Sequence, residues 1–133
     1  MKIIDFGFAI SSKEKLRVFC GTPSYMAPEI AAKKEYNGSA TDVWSAGVVM
    51  YAILTGFLPF KSTDEKGLYR KIQAGVYSVP QNDKGERSSV EARDLLRSLL
   101  CVEPGSRITA ENALLHPWIT KNFVHNNQAN WIN

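Results

Sequence analysis

The side chains here that are able to do chemistry fall into a few short runs. Asp5 stands in an Asp5-Phe6-Gly7 turn near the start, a carboxylate close to the one residue type that leaves the backbone free to rotate. Gly21-Thr22-Pro23-Ser24-Tyr25-Met26-Ala27-Pro28-Glu29 follows, a loop carrying two hydroxyls and a phenol between prolines and ending on an acid. Farther along stand Asp42, at the start of a strongly apolar run, and Arg107, shortly after Glu103-Pro104. Taken singly each is weak. Asp-Phe-Gly is a common turn tripeptide, Thr22-Pro23 makes a simple turn, and Glu29 and Arg107 read as unrelated surface charges. The order and separation of the first two runs carry the information. Metal-thiolate chemistry is not indicated, because Cys20 and Cys101 lack C-x-x-C spacing and no histidine cluster lies near them.

These residues need elements to position them. A chain of 133 residues can build one domain with a real core and is too short for two. Its composition, 44% hydrophobic and 22% charged, is that of an ordinary soluble globular protein. The net charge of +3 is small and the basic residues are scattered, which argues against a nucleic acid or a membrane surface as partner. No apolar run reaches the roughly 18 residues of a membrane span. The stretch 43–58 comes nearest, but Ser45, Gly47, Thr55 and Gly56 interrupt it. The first residues lack the apolar stretch of a secretory signal, and the two cysteines read as reduced thiols in a reducing compartment.

Periodicity predicts a mainly α fold. Lys2-Ile3-Ile4 reads as the end of a short strand, and 8–26 as a long loop of the kind that is usually functional. Pro28 opens a short helix, broken at Asn37-Gly38-Ser39. From Asp42 to Leu54 the sequence is apolar on almost every face, so this helix belongs at the centre of a domain. Leu58-Pro59-Phe60 turns the chain into a helix from Asp64 or Glu65 to Ala74, closed by Gly75. Ser88 or Ser89 starts the next, with the Ser88-to-Glu91 spacing of a capping box and a stripe of Val90, Leu95, Leu96, Leu99 and Leu100. Thr109 caps a last helix that stops before His116-Pro117-Trp118, and the Asn-rich tail reads as partly disordered.

In this order the motifs resemble the second half of the large, C-terminal lobe of a serine/threonine protein kinase. The nearest likeness is to the calcium/calmodulin-dependent and AMP-activated group. The markers are Asp5-Phe6-Gly7, the nine residues from Gly21 to Glu29, Asp42-Val43-Trp44-Ser45-Ala46-Gly47, Leu58-Pro59-Phe60, Arg107 and His116-Pro117-Trp118. They divide the chain into a partial kinase domain over 1–119 and a polar tail over 120–133.

The resemblance implies transfer of the ATP γ-phosphate to serine or threonine of protein substrates. Asp5 would be the magnesium ligand, and Asp5, Phe6 and Gly7 the nucleotide side of the site, with Phe6 packed into a hydrophobic column. Gly21, Thr22, Pro23 and Tyr25 would seat the substrate residue just after the acceptor, Thr22 marking the serine/threonine class. Glu29 and Arg107 would form a buried ion pair. Asp42 would accept backbone hydrogen bonds from the catalytic loop; as that loop is not encoded here, it is left as a helix cap. ATP and Mg2+ are cofactors of the complete kinase. The Gly-rich loop, the phosphate-gripping lysine with its glutamate, the adenine hinge and the His-Arg-Asp loop do not occur in these residues. No catalytic base is therefore assigned, and the chain alone is expected to be inactive and to bind neither cofactor tightly. The rival readings are a kinase-derived binding or regulatory module, docking substrates or a kinase partner through the Gly21–Tyr25 loop and the helix Glu65–Ala74, and an incompletely read gene for an active kinase. The implied partners are protein substrates and the remainder of a kinase or another kinase, in the cytoplasm. A further expectation is physical. The apolar helix after Asp42 lacks the long helix that covers it in a whole lobe, so several hundred Å2 of apolar surface should be uncovered.

Overall fold

The longest helix begins four residues before the expected Asp42. In a computed structural model, which describes residues 2–11, 14–79 and 88–126, helix α2 runs Gly38–Thr55. (The short helix before it, Pro28–Ala31, is α1.) The Asn37-Gly38-Ser39 signal reads as a breaker, but asparagine is also among the best N-caps. Asn37 Oδ1 accepts from the Ser39 amide at 2.9 Å, and Thr41 and Ser45 hydroxyls bond back to the carbonyls of Gly38 and Thr41. Asp42 is consequently an exposed residue inside the helix and not its cap. The helix ends where Gly56 takes a left-handed φ of 75° and donates to Ala52 O.

α2 is the axis of the core. Val43, Trp44, Val48, Met50 and Tyr51 are buried, and Phe60 stacks on Trp44 with ring centres 5.8 Å apart. Leu95, Leu96, Leu99 and Leu100, from α4 (Val90–Leu99) and its cap, fill the facing side. Gly47 permits that approach: a Cβ there would lie 2.9 Å from both Leu99 Cβ and Leu100 Cδ2. The opposite side of α2 is open. Asp42, Ala46, Val49 and Ile53 recur at the four-three-four spacing of a single helix face and are all exposed, Ile53 to 76%.

Three caps fix the remaining helices. Asp64 accepts from Gly67 N at 2.7 Å to open α3 (Glu65–Ala74), which closes on left-handed Gly75. Ser89, not Ser88, caps α4 by accepting from Ala92 N at 3.1 Å, so the cap does not have the expected Ser88-to-Glu91 spacing, and Glu91 accepts from Lys121 at 2.7 Å. Thr109 accepts from Asn112 N at 3.2 Å at the head of α5 (Ala110–Leu114). The chain then departs from expectation. Pro117 does not end helical structure but starts α6, Pro117–Asn126, so the segment read as the beginning of a polar tail continues as helix. Proline at a first helical position is as favourable as it is forbidden farther in. His116 Nδ1 accepts from the Trp118 amide at 3.2 Å and serves as cap, while Nε2 meets Asp94 Oδ2 at 3.1 Å.

Lys2-Ile3-Ile4 forms no strand, and among the described residues the sole β pairing is one antiparallel bridge, Leu16 with Tyr36. The fold is mainly α. No described helix is long and apolar enough to cross a membrane.

Candidate functional site

A short ledge between the long loop and α1 is the best-supported irregular segment of the molecule. Gly21 adopts φ 104°, a conformation side chains resist, and redirects the chain. Pro23 then opens a single 3-10 turn, Pro23–Tyr25, closed by Tyr25 N to Thr22 O at 3.0 Å and Met26 N to Pro23 O at 3.2 Å. The Thr22 side chain makes no capping bond and stands exposed, as does Tyr25, while Met26 and Ala27 plunge into the core. Ser45 of α2 donates to Tyr25 O at 3.0 Å and ties the ledge to the central helix.

Directly after the ledge, Pro28 occupies the first position of α1 and Glu29 the next, where an acid suits the helix dipole. Glu29 is 6% exposed and faces Arg107, whose side chain is fully buried in the turn between α4 and α5. The pair is bidentate, Nη1 to Oε1 at 2.8 Å and Nη2 to Oε2 at 2.9 Å. Arg107 also donates to the carbonyls of Ala40 at 2.7 Å, Cys101 at 2.9 Å and Val102 at 3.3 Å, so each of its N–H groups has an acceptor. Its guanidinium lies 5.2 Å from the Trp44 ring centre. One side chain thus clamps α1, the start of α2 and the end of α4. Removing either charge from a buried pair costs about 3–5 kcal/mol, although the pair adds little beyond a well-packed apolar substitute.

The approach to the ledge is held by residues that sequence reasoning missed. Tyr36 hydroxyl donates to Val18 O at 2.8 Å, Leu16 and Tyr36 exchange backbone bonds of 2.8 and 3.0 Å, and Arg17 Nε donates to Glu35 at 2.6 Å. Phe19 meets Tyr69 of α3 edge to face at 5.9 Å. Burial, and secondarily the Cys20 thiol, pushes the Tyr36 phenol up from its ordinary value. The alternation Glu35-Tyr36 against Leu16-Arg17 was the available signal, but an isolated two-residue bridge gives no periodicity to detect.

The Asp5 turn contrasts with this. Asp5 takes a left-handed φ of 63° and its carboxylate accepts the Gly7 amide at 3.3 Å, a local turn that needs nothing else. Phe6 is 69% exposed and packs into no hydrophobic column within the described residues. No group of three or more acids, histidines or cysteines converges among the described residues. Asp5 alone offers one of the oxygen ligands a magnesium ion takes, so the residues present fit a contribution to such a site rather than a cage. Asp42, likewise, lies on the uncovered face of α2.

The sequence that carries this clamp and ledge matches a known domain. The protein kinase domain model fits residues 1–119. The chain belongs to the protein kinase family. It is 40% identical over 122 residues to "Probable serine/threonine-protein kinase MARK-A" of Dictyostelium discoideum, covering 90% of this chain and 11% of that protein. It is 41% identical over 127 residues to "CBL-interacting serine/threonine-protein kinase 24" of Arabidopsis thaliana, covering 93% of this chain and 27% of that one. To "Calcium/calmodulin-dependent protein kinase type II subunit delta" of Oryctolagus cuniculus it is 40% identical over 123 residues, covering 90% and 23%. The chain therefore spans about a quarter or less of the length of these relatives, and within the kinase domain it corresponds to the C-terminal part.

Proposed function

We propose that this chain is the substrate-seating part of a serine/threonine protein kinase, which transfers the ATP γ-phosphate to protein hydroxyls. The observation that carries the reading is the ledge of Gly21, Thr22, Pro23 and Tyr25, presented to solvent and anchored through Glu29 to Arg107. Phosphoryl transfer depends almost wholly on positioning and charge stabilisation, so a rigid seat for the acceptor peptide is a large part of what such an enzyme needs. Magnesium, when bound in a complete domain, neutralises the phosphate oxygens, and Asp5 is the residue of this chain that would hold it. Thr22, exposed and without a capping bond, is the hydroxyl assigned to the acceptor side in this reading.

By itself the 133-residue chain should not turn over ATP, because the groups that grip the nucleotide and take the acceptor proton are not among its residues. An intracellular, cytoplasmic location belongs to the same proposal, in keeping with two free cysteines. Two assays test it. In the first, residues 1–119 replace the matching segment of an active relative; the chimera should phosphorylate serine and threonine peptides, not tyrosine peptides, and lose activity on Asp5→Asn. In the second, the chain alone receives Mg-ATP and a basic peptide; turnover that Asp5→Asn abolishes would refute the inactive reading. A binding-module role has one observation in its favour. A groove of about 580 Å3 runs between the end of α2 and α3, with Phe57 and Val76 exposed along it and Lys61 and Lys71 at its rim.

A further inference from the structure

A second pocket, of about 220 Å3, adjoins the ledge and is lined by Arg17, Lys33 and Lys34 around Val18, Phe19, Ile30 and Tyr36. Three cations and no acid contribute to its wall. Phe19 precedes Gly21 by two residues and Ile30 follows Glu29 directly, so both chain segments that flank the ledge contribute to the wall of this pocket. We propose that the pocket is a subsite for an anionic side chain of the bound peptide, a carboxylate or a phosphate, placed beyond the residue that the ledge seats. The inference rests on the ledge being a peptide seat.

Two features set this pocket apart from a chance meeting of surface lysines. The first is its backbone. α1 closes with Lys33 N to Ile30 O at 2.8 Å and Lys34 N to Glu29 O at 3.0 Å, the paired bonds that end a helix on a left-handed residue. Glycine is the default at that position because other residues are strained there, yet lysine stands here with φ 55°. The strained backbone holds the Lys33 ammonium 5.6 Å from the Phe19 ring centre, over the apolar floor of the pocket. The second feature is rigidity. α1 is bolted to the core through Glu29 and Arg107, and Tyr36 is bonded to Val18 across the pocket, so the cations are carried on fixed walls. Glu35 pairs with Arg17 and offsets one positive charge, which leaves the two lysines to meet an anion. One exposed ion pair changes affinity only severalfold; two converging on one anion give about five- to tenfold.

The test uses the full chain and fluorescence anisotropy with labelled serine peptides that differ only two to four residues after the serine, where they carry alanine, glutamate, phosphoserine or lysine. The glutamate or phosphoserine peptide should bind at least about fivefold more tightly than the alanine peptide, and the lysine peptide more weakly, with the difference shrinking at high salt. Equal gain from both acids marks a carboxylate site, and a larger gain from phosphoserine a phosphate site; either supports the proposal. Lys33→Ala with Lys34→Ala should abolish the preference and leave alanine-peptide binding unchanged. Lys33→Gly should fold at least as well, being relieved of strain, and still lose part of the preference. Acid and alanine peptides binding alike, or a preference that survives the double substitution, overturns the subsite and leaves the ledge reading standing. Binding of none of the peptides overturns both.

Discussion

Replacing Arg107 by methionine keeps most of the side chain's volume and removes a guanidinium that has an acceptor for every N–H. What stays behind is costly. The Glu29 carboxylate, 6% exposed, loses its one cation among the described residues, and the carbonyls of Ala40, Cys101 and Val102 lose a charged donor. An orphaned buried charge costs about 3–5 kcal/mol, and each stranded carbonyl that water cannot reach adds about 1 kcal/mol or more. Against a total of about 5–15 kcal/mol for a domain, Arg107→Met should remove at least a third of the stability. At this chain length the melting temperature should fall by roughly 20 °C or more. Urea titration followed by tryptophan fluorescence, which samples Trp44 beside the pair, measures the loss directly. The double variant Glu29→Leu, Arg107→Met decides between explanations. It removes both charges, so it should be about 2 kcal/mol more stable than Arg107→Met alone, although it carries one substitution more. A loss under about 1 kcal/mol for Arg107→Met, or a double variant that merely sums the singles, would refute the clamp as the element that holds the ledge.

The other predictions concern surfaces, packing and pH. The uncovered face of α2 should make the isolated chain associate; Ile53→Lys, on that face, should lower the apparent mass in light scattering without lowering the melting temperature, and a sharply melting monodisperse monomer before substitution would sink the idea. Gly47→Val should cost about 1–3 kcal/mol by pushing α4 off α2, seen as a lower urea midpoint, since the added atoms would enter Leu99 and Leu100. Burial first, then Tyr51, raises the Tyr77 phenol, and burial raises Tyr51 itself. The folded state therefore holds those protons more tightly than the unfolded one, and this contribution is complete below the ordinary phenol value near 10 and is lost as pH rises through the raised folded values. Absorbance at the tyrosinate band should show late ionisation, and melts should weaken over the same range. The Tyr77 hydroxyl is buried with no hydrogen-bond partner among the described residues, so Tyr77→Phe should leave neutral-pH stability unchanged or slightly higher and flatten the alkaline loss.

Much of this fold was legible because local signals agreed with tertiary need. Asp64, Gly75 and Thr109 each sit where an end of a helix requires them, and the all-round apolar character of α2 announced a central helix. Two misreadings share a cause: one residue type serves two opposite functions. Asn37 breaks a helix or caps one, and Pro117 stops a helix or starts one. Which applies depends on the next element's packing, and a sequence does not display that. The likeness to kinases put Glu29 opposite Arg107, and the structure brings these residues together across 78 positions. The pocket of Lys33 and Lys34 was invisible for another reason. Its content is a left-handed backbone at lysine, which no periodicity encodes.

The ledge and the Asp5 turn differ in what holds them. The ledge draws its order from groups distant in sequence, Ser45 on α2, Tyr69 on α3 and Arg107 in the turn between α4 and α5, all packed on one core. The Asp5 turn draws its order from a bond spanning two residues and surrounds itself with exposed Ile3, Ile4, Phe6, Phe8 and Ile10. Apolar side chains in such density gain nothing from water, and none of the described residues covers them. The ledge and its cationic pocket are accordingly the part we propose as a preformed recognition surface, whereas the Asp5 carboxylate, proposed to hold magnesium, should acquire a fixed position only with added cover around Phe6. Supplying that cover should order the Asp5 turn and leave the ledge where it is, because no bond described between them couples the two.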